Sequence, residues 1–164
     1  MDKLYSSTII NRNKVFKSLS RDNNFYLLEG EPSKTREYSD VEINFRQNSN
    51  FFWLTGINLP NCSVIINGKQ KSIILVVPDY DKFYAIWNGK IPDFKKLKDE
   101  WNFNDILSKE KINQFYFSCN KKLIKVIEKH RIIKNKYEIK LIGNACEISS
   151  KIHNKIIYNK KIFN

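Results

Sequence analysis

Glycine and proline are sparse in this chain, five and four of 164 residues. The glycines, Gly30, Gly56, Gly68, Gly89 and Gly143, stand far apart, so they form no glycine-rich phosphate loop. Histidine occurs twice, at His130 and His153. Cysteine occurs three times, at Cys62, Cys119 and Cys146. No short Cys-x-x-Cys spacing is present, which argues against a structural zinc site and for reduced thiols. No run of 18 apolar residues exists, so no helix of membrane-spanning length is expected. The opening, Met1-Asp2-Lys3-Leu4-Tyr5-Ser6-Ser7, lacks an apolar stretch of signal-peptide length, and a cytoplasmic location is expected.

Positive charge is what the chain has in excess. The formal net charge is +12. Residues 121–164 carry 12 basic and 3 acidic side chains, a balance of +9, and residues 1–120 carry 17 and 14, a balance of +3. A basic end can contact phosphates. Arginine is scarce, however, and arginine supplies most bidentate recognition of phosphate and guanine. A lysine-rich solvated surface is the plainer reading, and no nucleic-acid partner is expected. The hydrophobic share of 41% suits one globular domain, which at this length buries roughly 70% of its unfolded surface.

Hydrophobic spacing predicts the elements. Ser6, Ser7 and Thr8 offer caps for a first helix through Ile9, Arg12, Asn13, Phe16 and Leu19. Phe25 to Leu28 reads as a buried strand, residues 31–44 as a loop, and Phe51 to Thr55 as another buried strand ended by Gly56. Cys62 to Ile66 and Ser72 to Val77 form a hairpin through Asn67-Gly68. Phe83 to Trp87 is a candidate strand, with a short helical turn as the alternative. Phe94, Leu97 and Trp101 sit at helical spacing. Gln114 to Ser118 reads as a strand and Lys121 to Lys129 as a helix. Tyr137, Leu141, Ala145, Ile148, Ile152 and Ile156 mark one face of a final helix of roughly 20 residues. Strands and helices alternate, so the class is α/β with a mixed sheet.

Several fragments then fall into a familiar order. They are Tyr26-Leu27-Leu28-Glu29-Gly30, Asp40 before Phe45-Arg46-Gln47, Phe52-Trp53-Leu54-Thr55-Gly56, Val77-Pro78 and Trp87-Asn88-Gly89-Lys90-Ile91. They are followed by Arg131, Lys134 and Glu138 in an "R-xx-K-xxx-E" junction, with Ile148-Ser149-Ser150 and His153 in the next helix. In this order the chain resembles the amino-terminal domain of the prolidase and aminopeptidase P (creatinase-like, M24) family, and its tryptophan motif looks most like eukaryotic Xaa-Pro dipeptidases. The resemblance implies a ribonuclease H-like mixed sheet of about six strands flanked by helices. It implies a domain over residues 1–133, and over 134–164 a linker with the first helix of a metallopeptidase catalytic domain.

The family's chemistry resides in that second domain. There, two metal ions, usually manganese, are held by two Asp, one His and two Glu, and they activate water for attack on the bond before proline. None of the five ligands has a counterpart here, so no catalytic residue, no metal ligand and no cofactor is assigned to this chain. The expectation is a non-catalytic portion of a prolidase-like hydrolase that serves dimerisation, as a homodimer or with a full-length relative. A proline-containing dipeptide would be bound only through a full-length enzyme. Fragment, truncated product and degenerate stand-alone protein remain open. So does an interaction module or basic nucleic-acid binder with no peptidase role.

Other candidates are weaker. His130 lies between Lys129 and Arg131, which disfavours a cation. Asp79 and Asp81 suit a turn after Pro78. The cysteines show no adjacent histidine or acid of a catalytic pair. The resemblance places Trp87 near the mouth of the partner subunit's active site, where a flat ring excludes water. Packing within its own domain is the alternative. Arg46 and Gln47 read as residues that fix the turn. The final helix lacks its family partner, so residues from about 134 onward are expected to be the least stable part.

Overall fold

The structure is a computed structural model that describes residues 2–81 and 83–158, with the side chains of Asp2, Lys3, Trp87 and Asn88 outside the description. The elements in chain order are α1 (Asp2–Ser18), β1 (Phe25–Glu29), α2 (Ser49–Thr55), β2 (Ser63–Asn67) and β3 (Ser72–Val77). They continue with α3 (Tyr84–Asn88), α4 (Phe94–Glu100), β4 (Asp105–Ser108), a 3-10 turn over Lys109–Gln114, α5 (Lys121–Ile132) and α6 (Lys136–Tyr158).

Among the described residues one mixed sheet forms, in the order β1-β2-β3-β4. β1 and β2 run antiparallel, as do β2 and β3, while β4 joins β3 in parallel. A parallel neighbour needs a crossover, and α3 and α4 supply it. The register puts Tyr26 opposite Ile66, Leu28 opposite Val64, and those two opposite Ile73 and Leu75. All six point into one core with Val15, Phe16 and Leu19 of α1, Phe51 and Leu54 of α2, and Leu123 and Ile127 of α5. The period-2 alternation of the strands thus sets which face meets the helices.

The hairpin expected at Asn67-Gly68 is present, for a different reason. Gly68 has no positive φ; the left-handed residue of this turn is Lys71, φ 51°. Gly68 is needed because a Cβ there would lie 2.2 Å from Cβ of Leu19. Asn67 closes the turn by accepting from the Gln70 N–H at 2.9 Å while donating to the Asn23 carbonyl.

Several expectations are corrected. Phe51 to Thr55 is the body of α2, not a strand. Asn48 caps that helix by accepting from the N–H groups of Asn50 and Phe51, and Gly56, φ 75°, ends it in the left-handed conformation. Four apolar residues in a row, Phe51 to Leu54, carry no period, so burial alone could not separate helix from strand. Phe83 to Trp87 is mostly helical, within α3. Gln114 to Ser118 gives only a single parallel bridge, Phe25 to Phe117, with Tyr116 97% exposed. The described sheet therefore has four strands where the resemblance implied about six. α1 starts at Asp2, so Ser6, Ser7 and Thr8 lie inside it. α6 runs 23 residues as the spacing predicts, and Leu141, Ile148, Ile152 and Ile156 on its stripe are exposed.

Candidate functional site

A groove of about 830 Å³ is bounded by α1, the loop before α2, α2 itself, α5 and the start of α6. Leu4, Phe45, Phe52, Trp53, Leu141 and Ile142 give it an apolar lining, with Arg46 at the rim.

Its floor is a hydrogen-bonded joint. Asn135 caps α6, its Oδ1 accepting from the N–H groups of Tyr137 and Glu138 at 2.9 and 3.1 Å. Glu138 returns the bond, Oε2 accepting from the Asn135 N–H at 2.6 Å. This reciprocal pair is a capping box. The same side chains reach other helices. Glu138 Oε1 accepts from Trp53 Nε1 at 2.6 Å and from Asn11 Nδ2 at 3.3 Å. Asn135 Nδ2 donates to Ser7 Oγ at 2.9 Å and Asn11 Oδ1 at 3.1 Å. Ser7, Asn11 and Asn135 are buried, and each has its partner, as buried polar groups require.

The other junction residues act beside it. Arg131 donates to Asn50 Oδ1 and so ties α5 to α2. Lys134 Nζ donates to the carbonyls of Arg131 and Ile132, capping the C-terminus of α5. Arg131, Lys134 and Glu138 are thus three parts of one connection between α5 and α6.

A buried cation, Arg12, sits behind α2. The residue is 2% exposed, and among the described residues no carboxylate pairs with its guanidinium. It donates to the carbonyls of Leu54 and Thr55 at the end of α2, and to those of Trp101 and Asn102 after α4. The partial negative charge at helix C-termini suits a cation there, and the Phe103 ring lies 4.4 Å away. Burial lowers its pKa to about 10, so it is charged at neutral pH.

The expected site residues are scattered. Trp87 belongs to α3, and its side chain lies outside the described residues. Arg46 is exposed on the groove rim. Gln47 is buried and fixes a turn: its Oε1 accepts from the Glu31 and Asn48 N–H groups, and Nε2 donates to the Leu59 carbonyl. His130 Nε2 lies 2.8 Å from the Ser18 hydroxyl. Burial, then the charges of Lys14 and Lys129, hold its pKa below the usual histidine range, which favours the neutral ring. His153 is exposed on α6. Cys62 is buried, and desolvation pushes its thiol up to about 12; Cys119 and Cys146 are exposed.

A dinuclear metal centre does not fit the residues present. Among the described residues no three of His, Cys, Asp and Glu converge to hold an ion; Asp79 and Asp81 are exposed on either side of half-buried Tyr80, and Asp81 Oδ1 accepts from the Tyr84 N–H at the start of α3 at 2.7 Å. No described helix is long and apolar enough to cross a membrane.

Sequence reasoning passed over the roles of Asn135, Asn11 and Arg12, and the ion pair that buried Asp22 makes with Lys122 of α5. Asn135-x-x-Glu138 before an apolar run is a legible capping signature. Arg12 stood on the apolar face of α1, which itself marked it as buried. Asn11 and Asp22 carried no local signal.

Comparison with known proteins agrees with this geometry. The family model for the aminopeptidase P N-terminal domain matches residues 9–127. An uncharacterised peptidase of Saccharomyces cerevisiae is 28% identical over 88% of this chain and 31% of its own length. A "Probable Xaa-Pro aminopeptidase" of Chaetomium globosum is 26% identical over 92% of this chain and 30% of its own. The low-pH form of Escherichia coli aminopeptidase P superposes with a TM-score of 0.58 at 22% identity, covering 67% of this chain and 25% of that one, a likeness of fold. The chain spans about a third of the length of these curated relatives.

Proposed function

The chain belongs to the family of aminopeptidase P amino-terminal domains, and from that premise we infer that it serves as the non-catalytic amino-terminal portion of an Xaa-Pro peptidase of the manganese-dependent kind. The observation that carries this reading is the family match over residues 9–127. In this role the sheet domain, which we place at residues 1–133, supports dimerisation with a second copy or a full-length relative. It also helps to shape the entrance to a catalytic cleft, with Trp87 at that entrance. Residues 134–164 supply the linker and the first helix of the catalytic domain. The exposed apolar stripe of α6 supports this, because such a face gains stability only by packing. The peptide substrate and the manganese ions are met through a catalytic domain and not by this chain, in keeping with the absence of a converging ligand set among the described residues. The unpaired cysteines suit a reducing cytoplasmic setting.

The test is direct. Purified chain is incubated with Gly-Pro and manganese, and free proline is measured; no turnover is expected. Turnover that survives repurification and is abolished by a chelator would overturn the non-catalytic assignment. Sedimentation equilibrium at micromolar concentration is expected to show species heavier than 19.5 kDa, and a strictly monomeric profile would remove the dimerisation role.

A further inference from the structure

α6 is long and its attachment is short. At 1.5 Å per residue its 23 residues extend about 34 Å. From residue 143 to 158 every side chain is exposed. What binds the helix to the sheet domain lies in its first two turns, and the strongest bonds there are polar.

Those bonds have an unusual arrangement. One carboxylate, that of Glu138, receives the cap N–H of its own helix, the indole N–H of α2 and the amide of Asn11 on α1. One amide, that of Asn135, caps α6 with its oxygen and holds α1 with its nitrogen. Asn11 closes the circuit by donating to the Trp53 carbonyl at 3.1 Å. Forming the helix terminus and fixing its direction are therefore the same event. Three directions of restraint, from α1, α2 and the cap, remove the freedom to swing that a plain linker leaves. Any tilt is amplified: 10° at the joint moves the far end of a 34 Å rod by about 6 Å.

We propose that the Asn135–Glu138 box is a rigid joint, which makes α6 a lever moving with α1 and α2 as one body. Whatever packs on the far half of α6 is then held at a set angle to the sheet domain, and a force on that half is felt at Trp53. This does not rest on the peptidase reading.

The two exposed thiols allow the test on the natural chain. Cys119 lies just before α5 and Cys146 on α6, while buried Cys62 resists labelling. Spin labels on Cys119 and Cys146, diluted with unlabelled protein, report one intramolecular distance. The wild type is expected to give a single narrow distribution. Glu138→Ala removes the shared acceptor and is expected to widen it at least twofold, with a shift in the tryptophan emission to which Trp53 contributes. Glu138→Gln keeps the size but cannot serve every donor, and is expected to widen it less; it also serves if the alanine variant fails to fold. Asn67→Ala, which weakens the β2–β3 turn away from the joint and from both labels, is expected to leave the width unchanged. A broad wild-type distribution would overturn the proposal. So would Glu138 variants of wild-type width, or Asn67→Ala widening as much as they do.

Discussion

The guanidinium of Arg12 donates to the carbonyl of Trp101 across 89 positions of sequence, at 2.6 Å. The same group serves the end of α2 through Leu54 and Thr55. Two helix C-termini thereby share one buried cation in place of caps from water. Arg12→Met keeps the apolar stem and strips the donors, which leaves several buried carbonyls unpaired. At about 1–3 kcal/mol for each unsatisfied buried group, a loss of about 3 kcal/mol or more is expected in urea unfolding. Arg12→Lys should recover only part, because an ammonium cannot reach both helix ends in the fork geometry. A loss under 1 kcal/mol for the Met variant would refute the shared-cap account.

Gly56 and Gly143 make a matched pair. At Gly56 φ is 75°, and a Cβ would sit 2.1 Å from the Trp101 ring. Gly56→Ala must strain the backbone and displace a core indole, so a cost of about 3 kcal/mol is expected. At Gly143 a Cβ would meet nothing within 4 Å. Gly143→Ala should favour α6 by about 0.5–1 kcal/mol, read as added helicity in far-UV circular dichroism. Equal effects of the two substitutions would contradict both assignments.

Legibility followed how local each signal was. The β2–β3 hairpin, β1 and α6 were readable because their periods or turn residues lie within a dozen positions. α2 was not, because Phe51 to Leu54 is apolar throughout; its identity lay in Asn48 and Gly56 at the ends, a cap on each side. Phe115 to Ser118 has strand composition yet pairs once, since Ser118 bonds Phe25 and the chain then turns into α5. The joint was half legible. The residues Arg131, Lys134 and Glu138 were singled out through the resemblance, but the partners Ser7, Asn11 and Trp53 lie 85 to 128 positions away, beyond any local pattern.

Asp22 predicts a pH effect. The ion pair with Lys122, then the bonds from the Tyr26 hydroxyl and the Asn24 N–H, hold its carboxyl at about 2, below the ordinary 3.8. A depressed folded pKa means that the stabilisation is full above 3.8 and is lost as pH falls through 2. Lys122 is largely exposed, which screens the pair, so a contribution of about 1 kcal/mol is expected. Asp22→Asn should therefore lower stability at pH 7, and the gap to wild type should close near pH 2. A gap that stays constant from pH 7 to pH 2 would show that packing, not charge, separates the two proteins.

The last prediction concerns where order ends along α6. Sequence alone put the weak region from about residue 134, since a partnerless amphipathic helix has little to hold it. The joint moves that limit. Asn135 is only 9% exposed and bonded on both faces of its amide, and Glu138 is bound from three sides, so the first turn shares the stability of α1 and α2. From residue 143 to 158 nothing is buried, and isoleucines such as Ile148 and Ile152, at 60% and 52% exposure, lend little helix propensity of their own. An isolated stretch of this length is marginal in water. Lys151 and Glu147 form one ion pair at 2.6 Å, worth about 0.3–0.5 kcal/mol at most. Amide exchange in a dilute sample is thus expected to be slow at α6 N–H groups bonded near the joint, Ile139 above all, whose N–H reaches the Asn135 carbonyl at 3.0 Å. It should quicken by orders of magnitude over the last described turns, residues 150–158, beyond Cys146. Protection at Ile152 equal to that at Ile66 in the central strand would show that the far half of α6 is covered in solution. Fast exchange at Ile139 would show that the joint does not hold.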